Sequence, residues 1–358
     1  MSKRKVGFPR MDNYNIALKY LVENGLDCEY VMAPPMTRKT LELGSKYSPD
    51  FVCAPFKYTL GSMLEMLQGG GVDAIVETGG VCRLGYYGEL QRQILHDLGY
   101  QMDFVNLADM GKHKLRGYYA AVRKLNPQVN IPKAVKTLKD AVHLVRCIDT
   151  VEDRVRIDRG FENQPGSMKA IFEAYLQELG AAHSRREIDA AFQKVQNALD
   201  AVPLHKPEHP LRVGIVGEYY TVMDDFGNHN VERILAYMGQ GVEIHRWMTF
   251  THRNLEYNEQ ADLATIAPYV HYSMGPTTSA TVAAALRYAD AGFDGIVHVK
   301  SFGCTPEVDA MAVLQNISAD RKIPILYLSY DSQTGDAGIQ TRLEAFYDMI
   351  DMKRRRAV

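Results

Sequence analysis

Three of the five cysteines stand where the chain leaves an apolar run. Cys82 closes GVDAIVETGGVC, Cys304 closes GFDGIVHVKSFGC, and Cys53 follows residues 50–52 and precedes APFK. Each run reads as a strand, and each stretch that follows reads as the start of a helix. Pro55 and Pro306 come two residues after a cysteine, a placement suited to the first helical turn. The N–H groups of such a turn favour a thiolate. Glycines ahead of Cys82 and Cys304 let the backbone approach a bulky ligand. Three thiolates from two facing lobes suit one iron–sulfur cube whose fourth iron is open. Spacing alone leaves a second reading standing, that these are ordinary buried thiols. Cys28 in LDCEYV and Cys147 in HLVRCID read as packed thiols. No two cysteines form a CxxC pair, which sets aside zinc-ribbon and thioredoxin-like sites, and the odd count argues against a disulfide framework.

Polar residues flank these cysteines. Lys57 lies about one helical turn after Cys53. It reads either as a partner for cluster or substrate charge or as a surface lysine. Arg83, next to Cys82, offers five donors to a carboxylate, a phosphate or a cluster sulfide. Glu77 and Lys300 end the paired runs and face either a cleft or each other. An ion pair is the plainer reading, and acid–base work by Glu77 is the sharper one. Glu307 falls in a first helical turn, where a carboxylate suits the dipole in any case. Residues 217–230 read as a polar loop in which Glu218, Tyr219 and Asn228 line the cleft or simply make turns. Thr334 reads as a helix cap and Arg342 as structural. No HExxH pattern is present, so a zinc hydrolase is disfavoured. Neither a Walker A motif nor GxGxxG occurs, so ATP is expected to be handled by a partner.

The elements around these residues alternate. Residues 5–8, 28–32, 51–54, 74–77 and 102–106 read as strands, and residues 13–24, 59–68 and 90–98 as helices. This βαβ pattern predicts a parallel sheet with helices on both faces. Residues 114–201 are rich in helix formers, and SMKAIFEAYLQEL and REIDAAFQKVQNAL carry apolar residues at helical spacing. PLHKPEHPLR, with three prolines, reads as a linker. After it the opening theme returns, since GVDAIVETGGVC and GFDGIVHVKSFGC each set an Asp before an apolar strand and a glycine-bearing turn before a cysteine. The expected fold class is α/β, with two Rossmann-like lobes whose parallel sheets face a central cleft. The expected divisions are residues 1–113 and 203–358 for the lobes and 114–202 for the helical segment. Ligands in such sheets bind beyond the carboxyl ends of the strands.

The totals agree. The 358 residues are 46% hydrophobic, enough for more than one core, since single cores stop growing near roughly 250–300 residues. The net charge of −2 gives no basic surplus for nucleic acid, and residues 353–356 read as a solvated tail. The opening residues hold no apolar run of the kind that directs secretion, and no stretch of about 18 apolar residues is present to cross a bilayer. A cytoplasmic protein without a membrane partner is expected.

Four motifs in order, CAPFKYTLGSM, GGVCRLGYYGELQ, FDGIVHVKSFGCTPE and TGDAGIQTRLEAFYDM, resemble the 2-hydroxyacyl-CoA dehydratase D-component superfamily. More narrowly, they are similar to its branch of uncharacterised proteins related to 2-hydroxyglutaryl-CoA dehydratase and its activator. The likeness covers both lobes and is weakest in the helical middle. It implies a [4Fe–4S] cluster between the lobes, held by Cys53, Cys82 and Cys304, and lyase or oxidoreductase chemistry under anaerobic conditions. In that family an ATP-hydrolysing iron–sulfur activator injects one electron. The reduced cluster passes it to a 2-hydroxyacyl thioester, a ketyl radical expels the hydroxyl group, and the electron returns. Some relatives carry a double-cubane cluster, which needs more thiolates than the three motif cysteines here. A single cube is therefore expected, a larger one requiring thiolates from another subunit. Characterised dehydratases pair two large subunits, so a second homologous subunit is an implied partner. The identity of the small-molecule substrate does not carry over. Two other classes stay open: a cluster-bearing electron-transfer or accessory protein, and a bilobed small-molecule binding protein with plain thiols.

Overall fold

The computed structural model describes residues 2–77, 85–107 and 114–356. Strands β1 (Lys5–Gly7), β2 (Glu29–Val31), β3 (Ala74–Glu77) and β4 (Asp103–Asn106) form one parallel sheet in the order β2-β1-β3-β4. Strands β5 (Leu211–Gly217), β6 (Val242–Arg246), β7 (Gly295–Ser301) and β8 (Ile325–Tyr330) form a second, in the order β6-β5-β7-β8. The fold is therefore α/β, with two lobes of one strand order. The chain divides into two compact units, Met1–Ile148 with Tyr175–Phe192, and Asp149–Ala174 with Gln193–Val358. The helical middle is present as Lys114–Leu125, Ile131–Asp158, Ser167–Gly180 and Arg185–Asp200, and the division runs through the last three.

The strand sequences explain their places. Every residue of β3 and of β7 is buried, as central parallel strands covered on both faces require. Side chains alternate across β3, so Ala74 and Val76 pack with Val6, Phe8 and Val105, while Ile75 packs with Phe56, Leu60 and Leu95. The repeated Asp has one structural task in both units. Asp73 accepts the backbone N–H of Lys5 at 2.8 Å, and Asp294 accepts that of Arg212 at 2.8 Å. Each ties the start of a central strand to the start of its neighbour. The helix Arg38–Tyr47 then lies against the helix Ala54–Gln68 through bare backbone. A Cβ on Gly44 would sit 1.8 Å from the carbonyl oxygen of Lys57, and one on Gly61 would sit 2.0 Å from that of Thr40. Among the described residues no helix is long and apolar enough to cross a membrane.

Several expectations need correction. Residues 51–54 are not a strand. They are a turn and the entry to Ala54–Gln68, because Phe51 is 97% exposed and, among the described residues, no strand pairs with the segment. The helix Arg38–Tyr47 was not expected, yet it opens on a capping box in which Thr37 and Thr40 bond each other's backbone N–H. Residues 217–230 are not wholly loop, since Tyr219–Met223 is a short helix. Thr334 does not cap the helix Asp336–Arg355. Gly335 holds that position, and the Thr334 hydroxyl bonds Asp331. Residues 353–355 are the last turn of that helix rather than a tail, where cations suit the negative end of the dipole.

The linker is pinned by charge. Lys206 reaches Asp158 at 3.0 Å and Glu243 at 2.9 Å, and Glu243 also meets His245 at 2.5 Å. The hydrogen bond from His245, helped by Lys206 and opposed by burial, holds the Glu243 carboxyl down at about 2. Because this value lies below that of the unfolded chain, about 4.3, the stabilisation is present above that pH. It drains away as pH falls toward about 2. Glu243→Gln should therefore lower urea stability at pH 6, and the gap to wild type should be much narrower by pH 2.5. A gap that stays constant across this window would mean that Glu243 titrates normally.

Candidate functional site

Both sheets reverse their winding at the central pair, β1/β3 in one unit and β5/β7 in the other. Beyond the carboxyl ends of such a pair the outgoing loops part and leave a crevice. In the second unit β5 ends at Gly217, and Glu218 caps the helix Tyr219–Met223. Its carboxylate accepts the N–H of Tyr220 at 2.9 Å and of Thr221 at 2.8 Å, and the Thr221 hydroxyl at 2.5 Å. Burial pushes the Glu218 carboxyl up, nearby Glu307 adds to the rise, and these hydrogen bonds oppose it. Next to it, β7 ends at Ser301 and the chain turns through Phe302 and Gly303 to Cys304.

Cys304 is the N-cap of the helix Thr305–Arg321, which starts there because Pro306 fits only a first turn. Its N–H donates to the carbonyl of Ser301 at 3.0 Å, and its side chain makes no cap hydrogen bond. Glu307, in the same turn, is fully buried rather than a surface complement to the dipole. It accepts His298 Nε2 at 2.8 Å and the Thr281 hydroxyl at 3.1 Å. His298 and Lys300 are two apart on β7 and so share a face. Lys300 is 4% exposed, with its Nζ 5.9 Å from the centre of the Phe302 ring. Burial lowers the pKa of Lys300, against the pull of Cys304 and Glu307.

The first unit presents the other expected residues. Cys53 is buried and is the N-cap of Ala54–Gln68, again with a proline in the first turn and no side-chain cap bond. Its thiol meets the Tyr87 hydroxyl, and the Tyr87 ring sits edge-on to Phe56 with centroids 4.7 Å apart. Lys57 follows on the same helix, partly buried. Glu77 closes β3, buried, and its carbonyl accepts the N–H of Leu107 at 2.8 Å. Cys82 and Arg83 lie outside the described residues. Thus Cys304 and Lys300 are brought together within the second unit, while Cys53, Lys57 and Glu77 belong to the first.

The remaining cysteines are buried thiols. Cys28 lies 3.6 Å from the carbonyl oxygen of Leu26, and burial raises its pKa. Cys147 lies 3.5 Å from His143 Nε2, and burial followed by the charge of Asp189 pushes its thiol up to about 11. Neither is poised to be a thiolate. Asn228 makes a turn, accepting the N–H of Val231 and donating to the carbonyl of Val222, both at 3.3 Å. The Tyr219 hydroxyl takes a hydrogen bond from Asn254 at 3.0 Å, and Arg342 donates to the carbonyl of Tyr327. His298 and Thr281 were not anticipated. The hint was a histidine inside the apolar run GIVHVKS, two residues before the lysine.

Among the described residues no three His, Cys, Asp or Glu side chains are grouped to hold a metal ion. The donor chemistry of an iron–sulfur cluster nonetheless fits Cys53 and Cys304. Each sets a thiol at the positive end of a helix of at least 15 residues, and neither side chain caps its helix. The chain matches no protein-family model and no curated protein.

Proposed function

We propose that this chain is an iron–sulfur redox protein of the 2-hydroxyacyl-CoA dehydratase type, binding one [4Fe–4S] cluster through Cys53, Cys82 and Cys304. The observation that carries this reading is the like local setting of Cys53 and Cys304, the first ahead of the helix that leads into β3 and the second ahead of the helix that follows β7. In each of two lobes with the same strand order, a cysteine stands at the N-cap of a long helix whose first turn holds proline, and its side chain makes no cap hydrogen bond. When bound, the cluster supplies one-electron reduction and an open iron for a substrate oxygen. The helix ends favour deprotonated sulfur at Cys53 and Cys304. Lys300 sets a positive charge near Cys304, and His298 and Thr281 hold the Glu307 carboxylate in place. Lys57, Glu77 and Arg83 are the further candidates for contact with substrate. The electron comes from an ATP-hydrolysing iron–sulfur activator, since this chain has no Walker A motif. A second homologous subunit completes the assembly, the substrate is a small molecule of the acyl-thioester class, and the protein works in the cytoplasm, where thiols stay reduced.

The test is anaerobic purification and reconstitution, with iron, sulfide and paramagnetic resonance measured together. About four irons per chain are expected. They should be lost in Cys53→Ala, Cys82→Ala and Cys304→Ala, and kept in Cys28→Ala and Cys147→Ala. No iron after reconstitution, or iron unaffected by the three substitutions, would sink the assignment.

A further inference from the structure

We propose that Lys300 and the first turn of the helix Thr305–Arg321 form a binding subsite for an anionic oxygen group, a carboxylate or a phosphate, on the ligand of the second unit. Burial strips part of the hydration from this lysine, which favours an anion beside its ammonium. Lys300 is 4% exposed, yet it forms no ion pair with a described residue.

Its neighbours explain why. Two carboxylates stand at the ends of β5 and β7, and both are committed elsewhere. Glu218 has one oxygen on the N–H of Tyr220 and the other on the N–H and hydroxyl of Thr221. Glu307 has one oxygen on Thr281 and the other on His298. His298 and Glu307 are both fully buried, so solvent does not exchange those partners. Glu307 still attracts Lys300 by charge but closes no ion pair with it, so that contact is open to an anion of the ligand.

The second element of the subsite is the helix itself. It runs 17 residues and its N-cap side chain accepts no backbone hydrogen bond. Pro306 has no N–H, but those of Thr305 and Glu307 have no acceptor inside the helix and add to the positive potential around Lys300. Both features lie at the strand ends where this sheet reverses its winding, the place where such folds take small ligands. As a statement about the substrate, the subsite rests on the proposed function. As a statement about binding, it stands on the second unit alone and needs no iron.

The experiment uses the full-length, iron-free protein. Succinate and inorganic phosphate are each titrated by calorimetry and by thermal midpoint, against sodium chloride at equal ionic strength. Saturable binding is expected for at least one of them, and the two arms tell carboxylate from phosphate. Lys300→Met should weaken it by about tenfold or more, as loss of a charged hydrogen bond does. Lys300→Arg should stay within about threefold of wild type, because it keeps the charge. Equal binding by Lys300→Met, or stabilisation by chloride as large as by both anions, would overturn the subsite. Iron content is measured on separate reconstituted samples. Anion binding without iron would leave the subsite intact and remove the cluster, while iron without anion binding would do the reverse.

Discussion

Glu232→Ala is expected to destabilise the second unit by about 3–5 kcal/mol, the cost of leaving a buried ion partner unpaired. Glu232 is 4% exposed and its two oxygens serve two arginines. Arg156 Nε donates to one at 2.8 Å, and Arg246 Nη1 to the other at 3.1 Å. Glu152 closes the ring from the opposite side, 3.1 Å from Arg156 and 2.7 Å from Arg246. Asp153 adds a further contact to Arg156. Burial pushes the Glu232 carboxyl up, but the two guanidiniums outweigh it and hold the group below its ordinary range. At neutral pH it is therefore ionised, and its removal leaves two buried cations sharing Glu152 and Asp153. Glu232→Gln keeps the shape and one acceptor, so it should lose less. The depressed value also fixes the pH dependence. The contribution is complete above the unfolded carboxylate value and declines as pH falls through the folded one, so the gap between Glu232→Ala and wild type should narrow in acid. Urea denaturation at pH 7 and pH 3 checks both statements. A loss at pH 7 below about 1 kcal/mol would mean that the ring behaves like exposed ion pairs.

That ring marks where sequence reading stopped. Glu152 and Arg156 are visible as an i, i+4 pair on one helix, but Arg246 leaves a strand and Glu232 starts a short helix far along the chain. Nothing in local periodicity joins them. The same holds for Thr281, His298 and Glu307, which meet only because the helices Pro276–Asp290 and Thr305–Arg321 cover one face of β7. What could be read was whatever a single strand or turn states by itself. AIVE was legible as β3 because an apolar run follows the helix-breaking glycines 69–71, and the two Asp-led strands were legible as a repeat. FVCA, residues 51–54, failed for the opposite reason. Its apolar letters match a short strand, but four residues carry too little period to separate a strand from a turn, and Phe51 points to solvent. Cys53 kept its place at a helix start because Pro55, not the misread strand, fixes it.

Gly217→Ala should cost about 3 kcal/mol or more, and it should do so at the ligand end of the second sheet. Gly217 has φ of +138°, a conformation that a side chain makes costly by about 1–3 kcal/mol. Space is the larger obstacle. An ideal Cβ there would lie 1.9 Å from the carbonyl oxygen of Val299 and 2.9 Å from its nitrogen, both backbone atoms of the neighbouring strand. No rotamer relieves such an overlap, so β5 and β7 must part at the point where they pair Gly217 with Val299. The Gly217 carbonyl also receives the Thr281 hydroxyl at 3.4 Å, and the N–H of Glu218 donates to Val299 at 2.9 Å. Separation of the strands therefore moves Thr281 and Glu218 together, and with Thr281 the carboxylate of Glu307. The substitution should consequently weaken anion binding at Lys300 even in conditions where the variant remains folded. Gly214→Ala provides the comparison, because a Cβ at Gly214 would meet the Tyr288 side chain at 2.2 Å rather than strand backbone. It should destabilise through the core while leaving the anion affinity of the folded fraction unchanged. Hydrogen exchange of the Glu218 amide, together with the phosphate or succinate titration, reads the difference. Protection at Glu218 equal to wild type in Gly217→Ala would show that the strand ends tolerate the added atom.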